Sequence, residues 1–365
     1  MSVKLIPTLV SFLLVAACTP IVSPVGESGA PPPDDTPAPA HQTMPAEATQ
    51  ILSPDTAWTA ILEDGGLRLV ADSGIEQAVF PAGSTITSAN WSPDSARLLA
   101  LQTNLVAAVP AGTGYDIVGP LTIWALSMDE RTPKQLAALP ESVEYTSQLQ
   151  WGTWSPDGRH VTFWSGILSA SALADGLFLS VLDSDSGEIV SLDSYSLYTP
   201  AYHAWSPDGS RLAVTLGGGR DVWRNKSLAI FHVTSGTVTP VDSAAELIPG
   251  RVAWSPDGDL IAFAANPADT SDLPAIDARR IYLLDVASGE TRRLNETDSF
   301  QDALVWDANG DKLYFVQRVD DRLQLMTADP ITGETAPVEG AAEPLPDLAG
   351  YYGLFDWDNL LQQVP

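Results

Sequence analysis

Trp205-Ser206-Pro207-Asp208-Gly209 is one copy of a pentapeptide that recurs along the chain. Near-intact copies are Trp91-Ser92-Pro93-Asp94, Trp154-Ser155-Pro156-Asp157-Gly158 and Trp254-Ser255-Pro256-Asp257-Gly258. Trp306-Asp307-Ala308-Asn309-Gly310 and Leu52-Ser53-Pro54-Asp55 are degenerate copies, and Trp357-Asp358-Asn359 is a last trace. From Trp154 to Trp357 the copies stand about 50 residues apart, a period that signals stacked structural units. The interval from Trp91 to Trp154 is wider and implies an insertion; that from Leu52 to Trp91 is shorter and implies a minimal unit. The residue types specify a tight hairpin. Proline pre-sets φ for the first central position of a type I turn, Asp suits the second, Ser caps, and Gly takes the left-handed position of a bulged hairpin. The tryptophan is large enough to fill the wedge between neighbouring sheets. These residues are therefore framework.

Each copy leads into an alternating strand such as Arg211-Leu212-Ala213-Val214 or Leu260-Ile261-Ala262-Phe263. A second apolar strand follows, such as Arg280-Ile281-Tyr282-Leu283-Leu284, and then a second recurrent turn: Asp183 to Gly187, Thr234-Ser235-Gly236, Ala287-Ser288-Gly289 and Ile331-Thr332-Gly333. A short polar-edged strand closes the unit. Four strands per unit predict an all-β, six-bladed β-propeller over residues 51–365, four antiparallel strands to a blade. The aromatic tail around Tyr351 to Asp358 is expected to complete the first blade and so remove open edges. A seven-bladed ring, with Trp357 opening a seventh unit, is the alternative.

Over about residues 50–360 the repeat resembles that of TolB-type propellers and of the propellers in prolyl-oligopeptidase-like peptidases. The resemblance implies the fold and says little of function. TolB carries a separate N-terminal α/β domain and is not lipid-anchored, and the peptidases carry an α/β-hydrolase domain. Neither domain is recognisable here.

Residues 1–17 read as a secretion signal: Lys4, then an apolar run from Leu9 to Ala17 that is too short to span a bilayer. The run ends Val15-Ala16-Ala17-Cys18, which resembles the bacterial lipobox, and Cys18 is the only cysteine of the chain. The resemblance implies lipidation of Cys18 and a membrane-anchored lipoprotein of a bacterial cell envelope, outside the cytoplasm. Residues 18–50 are rich in Pro, Ala, Ser and Thr without apolar periodicity, as in a disordered tether.

The chain carries 18 Lys and Arg against 46 Asp and Glu. That balance argues against nucleic acid, which needs basic patches, and against adsorption to anionic lipid. Membrane contact is expected through the lipid on Cys18 alone, and the acidic surface suits a soluble, self-repelling monomer.

Loops on a rigid scaffold are where function usually sits. The Ser-Pro-Asp-Gly and Ser-Gly turns are short and share one face. The longer connections, 103–120, 165–175, 217–226 and 266–279 with 140–148 and 194–203, are expected on the other. Loop 217–226 gathers Arg220, Trp223, Arg224 and Lys226; another holds Tyr195, Tyr198, Tyr202 and His203. With Tyr145, residues Tyr195, Tyr198, Tyr202, His203, Arg220, Trp223 and Arg224 are the candidate binding patch. The alternative is a loop packing its own aromatics.

No catalytic constellation is legible. Gly217-Gly218-Gly219 lacks the following Lys-Ser/Thr of a phosphate loop, and Asp183-Ser184-Asp185-Ser186-Gly187 lacks the further ligands of a calcium loop. The loop of Asp269, Asp272 and Asp277 is an equally weak calcium candidate. His41, His160, His203 and His232 have no metal-ligand spacing. No cofactor and no metal are expected. The expected function is binding or scaffolding of a protein, peptide or glycan partner through the long-loop face. The alternative is a glycan hydrolase or lyase using paired axial carboxylates.

Overall fold

The computed structural model describes residues 48–108, 116–139, 147–167, 175–268, 278–344 and 357–364. Cys18, the tether through residue 47, Tyr145 and the loop of Asp269, Asp272 and Asp277 lie outside the described residues, while Thr49 and Gln50, expected in the tether, begin the first strand.

Six four-stranded antiparallel sheets follow one another along the chain, each a simple meander, as in a propeller of six blades. The first comprises Thr49–Leu52, Trp58–Glu63, Gly66–Ala71 and Glu76–Phe80. The second comprises Ile86–Trp91, Arg97–Ala108, Asp116–Ser127 and Lys134–Leu139. The third is Ser147–Trp154, His160–Ile167, Leu177–Asp183 and Ile189–Ser196. The fourth is His203–Trp205, Arg211–Leu216, Ser227–His232 and Thr237–Pro240. The fifth is Leu247–Trp254, Leu260–Pro267, Arg280–Asp285 and Thr291–Arg293. The sixth is Gln301–Trp306, Leu313–Val319, Arg322–Ala328 and Thr335–Pro344.

Each of the six copies from Leu52 to Trp306 starts at the last residue of a first strand and turns the chain into the second, whereas Trp357 leads into a short helix. The wide interval after Trp91 is taken up by the second blade's long central hairpin, two strands of 12 residues each. In the turns, Ser206 Oγ donates to Asp208 and accepts the backbone N–H of Arg211, while Asp208 accepts that of Ser210. The same three bonds recur at Ser53, Ser92, Ser155 and Ser255. In the sixth blade Asp307 replaces the serine and accepts the N–H of Lys312 directly. Gly209 sits at φ +69, where a side chain is strained; in the second blade Ser95 holds this position at φ 58. Successive turns also touch, Gly209 lying against the Asp157 carboxylate and Gly258 against Pro207.

Between neighbouring sheets lie apolar clusters. Leu67, Leu69 and Trp91 join the first two blades, and Leu121, Phe163 and Leu182 the second and third. Trp164, Leu212 and Phe231 join the third and fourth, Leu228, Trp254 and Phe263 the fourth and fifth, and Leu283, Phe315 and Met326 the fifth and sixth. Each side chain of this kind contributes about 1.5–3 kcal/mol on burial, so the junctions rather than the single sheets hold the fold together.

Residues 351–356, on which the strand expected to complete the first blade would lie, are outside the described residues. The first blade has its four strands from residues 49–80 alone, so no C-terminal strand is needed to complete it. The described tail, with the short helix Asp358–Leu361, packs on the sixth sheet. Val316 and Leu323 point away from the fifth blade, because Phe315 and Met326 take the other face, and Trp357 and Leu360 cover them.

Candidate functional site

Loop 217–226 of the fourth blade meets Asp175 and Tyr195 of the third. Leu177, Leu179 and Val181 point into the junction between the two blades, which leaves Phe178 on the opposite face and 41 % exposed. Directly across the strand pair stands Tyr195, 46 % exposed, and the two rings stack with centroids 4.3 Å apart. Tyr198, 41 % exposed, packs separately, edge-on to Trp164 on the junction face, with its hydroxyl donating to Gln150. All the exposed phenylalanines and tyrosines among the described residues are these three.

Loop 217–226 is bonded against them. The Gly217 N–H donates to the Tyr195 carbonyl and the Gly219 N–H to that of Asp175, both at 2.7 Å. Gly217 has φ +121, and a Cβ there would lie 1.8 Å from the Asn225 carbonyl oxygen, so only glycine fits. Arg220 grips the Asp175 carboxylate with two parallel bonds of 2.8 and 3.0 Å. That grip holds the Asp175 carboxyl below its ordinary range. Beneath the loop, Val222 is buried against Leu197 and Tyr202, with Trp223 alongside. The outcome is a slot of about 360 Å³, walled by Phe178, Tyr195 and Leu177 and by Gly166, Gly176, Gly218 and Gly219, with Asp175 at its edge.

The structure thus brings together two of the loops singled out in the sequence but divides their residues. Tyr195 and Tyr198 face solvent, Arg220 flanks the slot and Arg224 is exposed. Tyr202 and His203, only 1 % and 3 % exposed, lie beneath the surface and support it. Burial drives the Tyr202 phenol up to about 12 and the His203 imidazole down to about 3. His203 Nε2 lies 2.9 Å from the hydroxyls of both Thr153 and Thr162, bridging the fourth blade to the third. The three positive charges do not form a basic patch, since Arg220 is paired with Asp175 and Lys226 is buried.

Three features were not legible in the sequence. One is Phe178. Another is a polar cleft of about 490 Å³ at the turn end of the same two blades, lined by Asp157, Arg159, His160, Asp183 and Asp208. Its carboxylates are engaged within the framework: Asp183 accepts the N–H groups of Asp185 and Ser186 and pairs with Arg159, and Asp208 caps its own turn. Burial lowers the pKa of His160, with Asp183, 3.5 Å away, acting against it. The third is a buried ionic cluster. Asp302 accepts bonds of 3.0 Å from Arg279 and from the Trp357 indole, and Arg251 stands at 3.8 Å. Burial pushes the Asp302 carboxyl up, but Arg279 and Arg251 outweigh it and the net shift is downward. No group of three or more metal-ligating side chains occurs among the described residues.

No protein-family model matches the chain, and no curated protein matches it. Solved structures do. Porphyromonas gingivalis dipeptidyl peptidase 4 is 12 % identical with a TM-score of 0.55, over 83 % of this chain and 46 % of that one. A protein described as a dipeptidyl aminopeptidase IV from Bacteroides ovatus is 13 % identical with a TM-score of 0.52, over 83 % and 48 %. TolB from Acinetobacter baumannii is 16 % identical with a TM-score of 0.39, over 80 % and 63 %. The chain spans less than two thirds of the length of each. The similarity to the two peptidases is one of fold, and the fold it supports is the β-propeller.

Proposed function

We propose that this protein is a recognition module that binds a neutral glycan in the slot formed by Phe178, Tyr195 and loop 217–226. The observation that carries the reading is the stacked, exposed pair Phe178 and Tyr195 on a slot walled by glycines. A pyranose ring has an apolar C–H face and a rim of hydroxyls. Phe178 and Tyr195 offer ring surface to the first. The Asp175–Arg220 pair, half-exposed at the slot edge, offers fixed acceptors and donors to the second. Glycine walls let a flat ligand approach the backbone closely. A net charge of −28 disfavours phosphorylated or acidic ligands. Tethering by a lipid on Cys18 would place this slot at an envelope surface.

The reading is non-catalytic. Every described carboxylate with a resolved shift has its pKa lowered, including Asp175, Asp183, Asp208 and Asp302. A glycosidase acid needs a carboxyl raised toward neutrality. The test is a glycan array probed with the soluble propeller. Retention of neutral glycans that Phe178→Ala and Tyr195→Ala both abolish supports the reading. Retention of proline-rich or aromatic peptides instead, with the same sensitivity, would replace the glycan by a peptide partner.

A further inference from the structure

Lys226 is one of the most deeply placed cations of the described residues, with 6 % exposure. Its Nζ donates to four backbone carbonyls of its own loop: Gly218 at 3.0 Å, Gly219 at 2.9 Å, Asp221 at 3.2 Å and Arg224 at 3.0 Å. Lysines ordinarily bury the aliphatic stem and leave the ammonium in water. Here the loop wraps the ammonium as a ring of carbonyls wraps a dehydrated metal cation. An ammonium has three N–H groups for these four oxygens, so at least one is shared. Burial presses the Lys226 pKa down to about 8, and the charge of Asp221 opposes that.

Two of the four carbonyls so gathered belong to residues in the wall of the slot. Gly218 and Gly219 line it, and a Cβ on Gly218 would stand 3.5 Å from Tyr195 Cβ. The two amides that tie the loop to Tyr195 and Asp175 are those of Gly217 and Gly219. Without a central cation, four carbonyl dipoles would face one another around the space the buried ammonium fills, and that arrangement is repulsive.

We infer that Lys226 is the positioning residue of the slot: its ammonium serves as a built-in cation around which residues 218–224 fold, setting the glycine wall against Tyr195. The inference rests on the reading of the slot as a ligand site, but its test needs no ligand. Hydrogen exchange would be followed by mass spectrometry in the full propeller, as wild type, Lys226→Met and Lys226→Ala. Lys226→Met keeps most of the volume and removes the charge. Exchange in residues 217–225 is expected to rise at least about ten-fold, with the strands Arg211–Leu216 and Ser227–His232 unchanged. In Lys226→Ala the same rise is expected, and methylammonium chloride should reverse it. Tetramethylammonium chloride, which has no N–H, should not.

Exchange in Lys226→Met equal to wild type would overturn the inference. So would loss of protection spread equally over the flanking strands, because the role would then be general packing. A failure of methylammonium to restore Lys226→Ala would assign the effect to the side-chain stem rather than the charge, and would also overturn it. A loop that loosens as expected in a protein that binds no glycan would defeat the glycan reading and leave the positioning role standing.

Discussion

The indole N–H of Trp205, in the fourth blade, donates to the carbonyl of Thr153, in the third, at 3.1 Å. Thr153 precedes Trp154, the repeat tryptophan of its own blade. Trp91 bonds in the same way to Ile51, and Trp306 to Ala253. The repeat tryptophan is thus a staple between blades as well as a space filler. Trp154 and Trp254 break the pattern, since their indole nitrogens are buried without a partner. Trp254 instead lies under the Arg211 guanidinium, 4.8 Å from its ring centre.

This difference is measurable. Trp205→Phe removes packing and a hydrogen bond, whereas Trp254→Phe removes packing with no bond to lose. Chemical denaturation should therefore find Trp205→Phe the more destabilising by about 1 kcal/mol. Equal losses would show that the inter-blade bond adds nothing net.

The framework was legible because turn chemistry is local. Ser206, Pro207, Asp208 and Gly209 declare their hairpin within a few residues, and the repeat multiplies the signal. The slot was half legible. Tyr195 and Tyr198 stood out as aromatics in a loop, but nothing separated them from Tyr202 and His203, which the short helical turn Pro200–Tyr202 carries inward. Strand alternation does not extend across such a turn. Phe178 was passed over because it sits between Leu177 and Leu179 in an apolar run, although its phase against them marks it as outward-facing. Arg220 and Lys226 read as free charges, since the partner Asp175 lies 45 residues away and backbone carbonyls leave no trace in sequence. Asp302 is likewise joined to Trp357 across 55 residues.

The turn cap predicts a second stability effect. Ser206→Ala leaves the Arg211 N–H without its acceptor and removes the hydroxyl that helps hold the Asp208 carboxyl at about 2. Thermal or urea unfolding should show a loss of about 1 kcal/mol. A change within error would mean that water replaces the hydroxyl fully.

His203 sets a pH dependence. Its pKa is 6.5 in the unfolded chain and about 3 in the folded one, because burial disfavours the cation. Below pH 6.5 the unfolded chain binds a proton that the folded chain refuses. The contribution is therefore complete above pH 6.5 and is lost as pH falls toward 3. Between pH 7 and pH 4 it amounts to about 3 kcal/mol. Urea titrations at the two pH values should show the stability of His203→Gln falling by less than that of wild type, by roughly this amount. Parallel losses in the two proteins would rule out His203 as the source.

Gly217 tests the loop from the backbone side. Gly217→Ala puts a Cβ against the Asn225 carbonyl at a φ that side chains rarely adopt. The substitution should expose Trp223, red-shifting its emission, and should lower ligand affinity in the slot while the far blades keep their hydrogen-exchange protection. Emission and affinity equal to wild type would contradict the tight packing of residues 217–226.

On the proposed reading, ligand binds at the aromatic slot and not at the larger polar cleft on the turn end. Isothermal titration with the glycan best retained on the array, comparing Tyr195→Ala with Asp183→Asn, addresses it most directly. Tyr195→Ala should bind at least about ten-fold more weakly, since a ring that carries an interface contributes upward of about 1.4 kcal/mol. Asp183→Asn should bind as wild type does. Wild-type affinity in Tyr195→Ala, or loss of binding in Asp183→Asn alone, would contradict it.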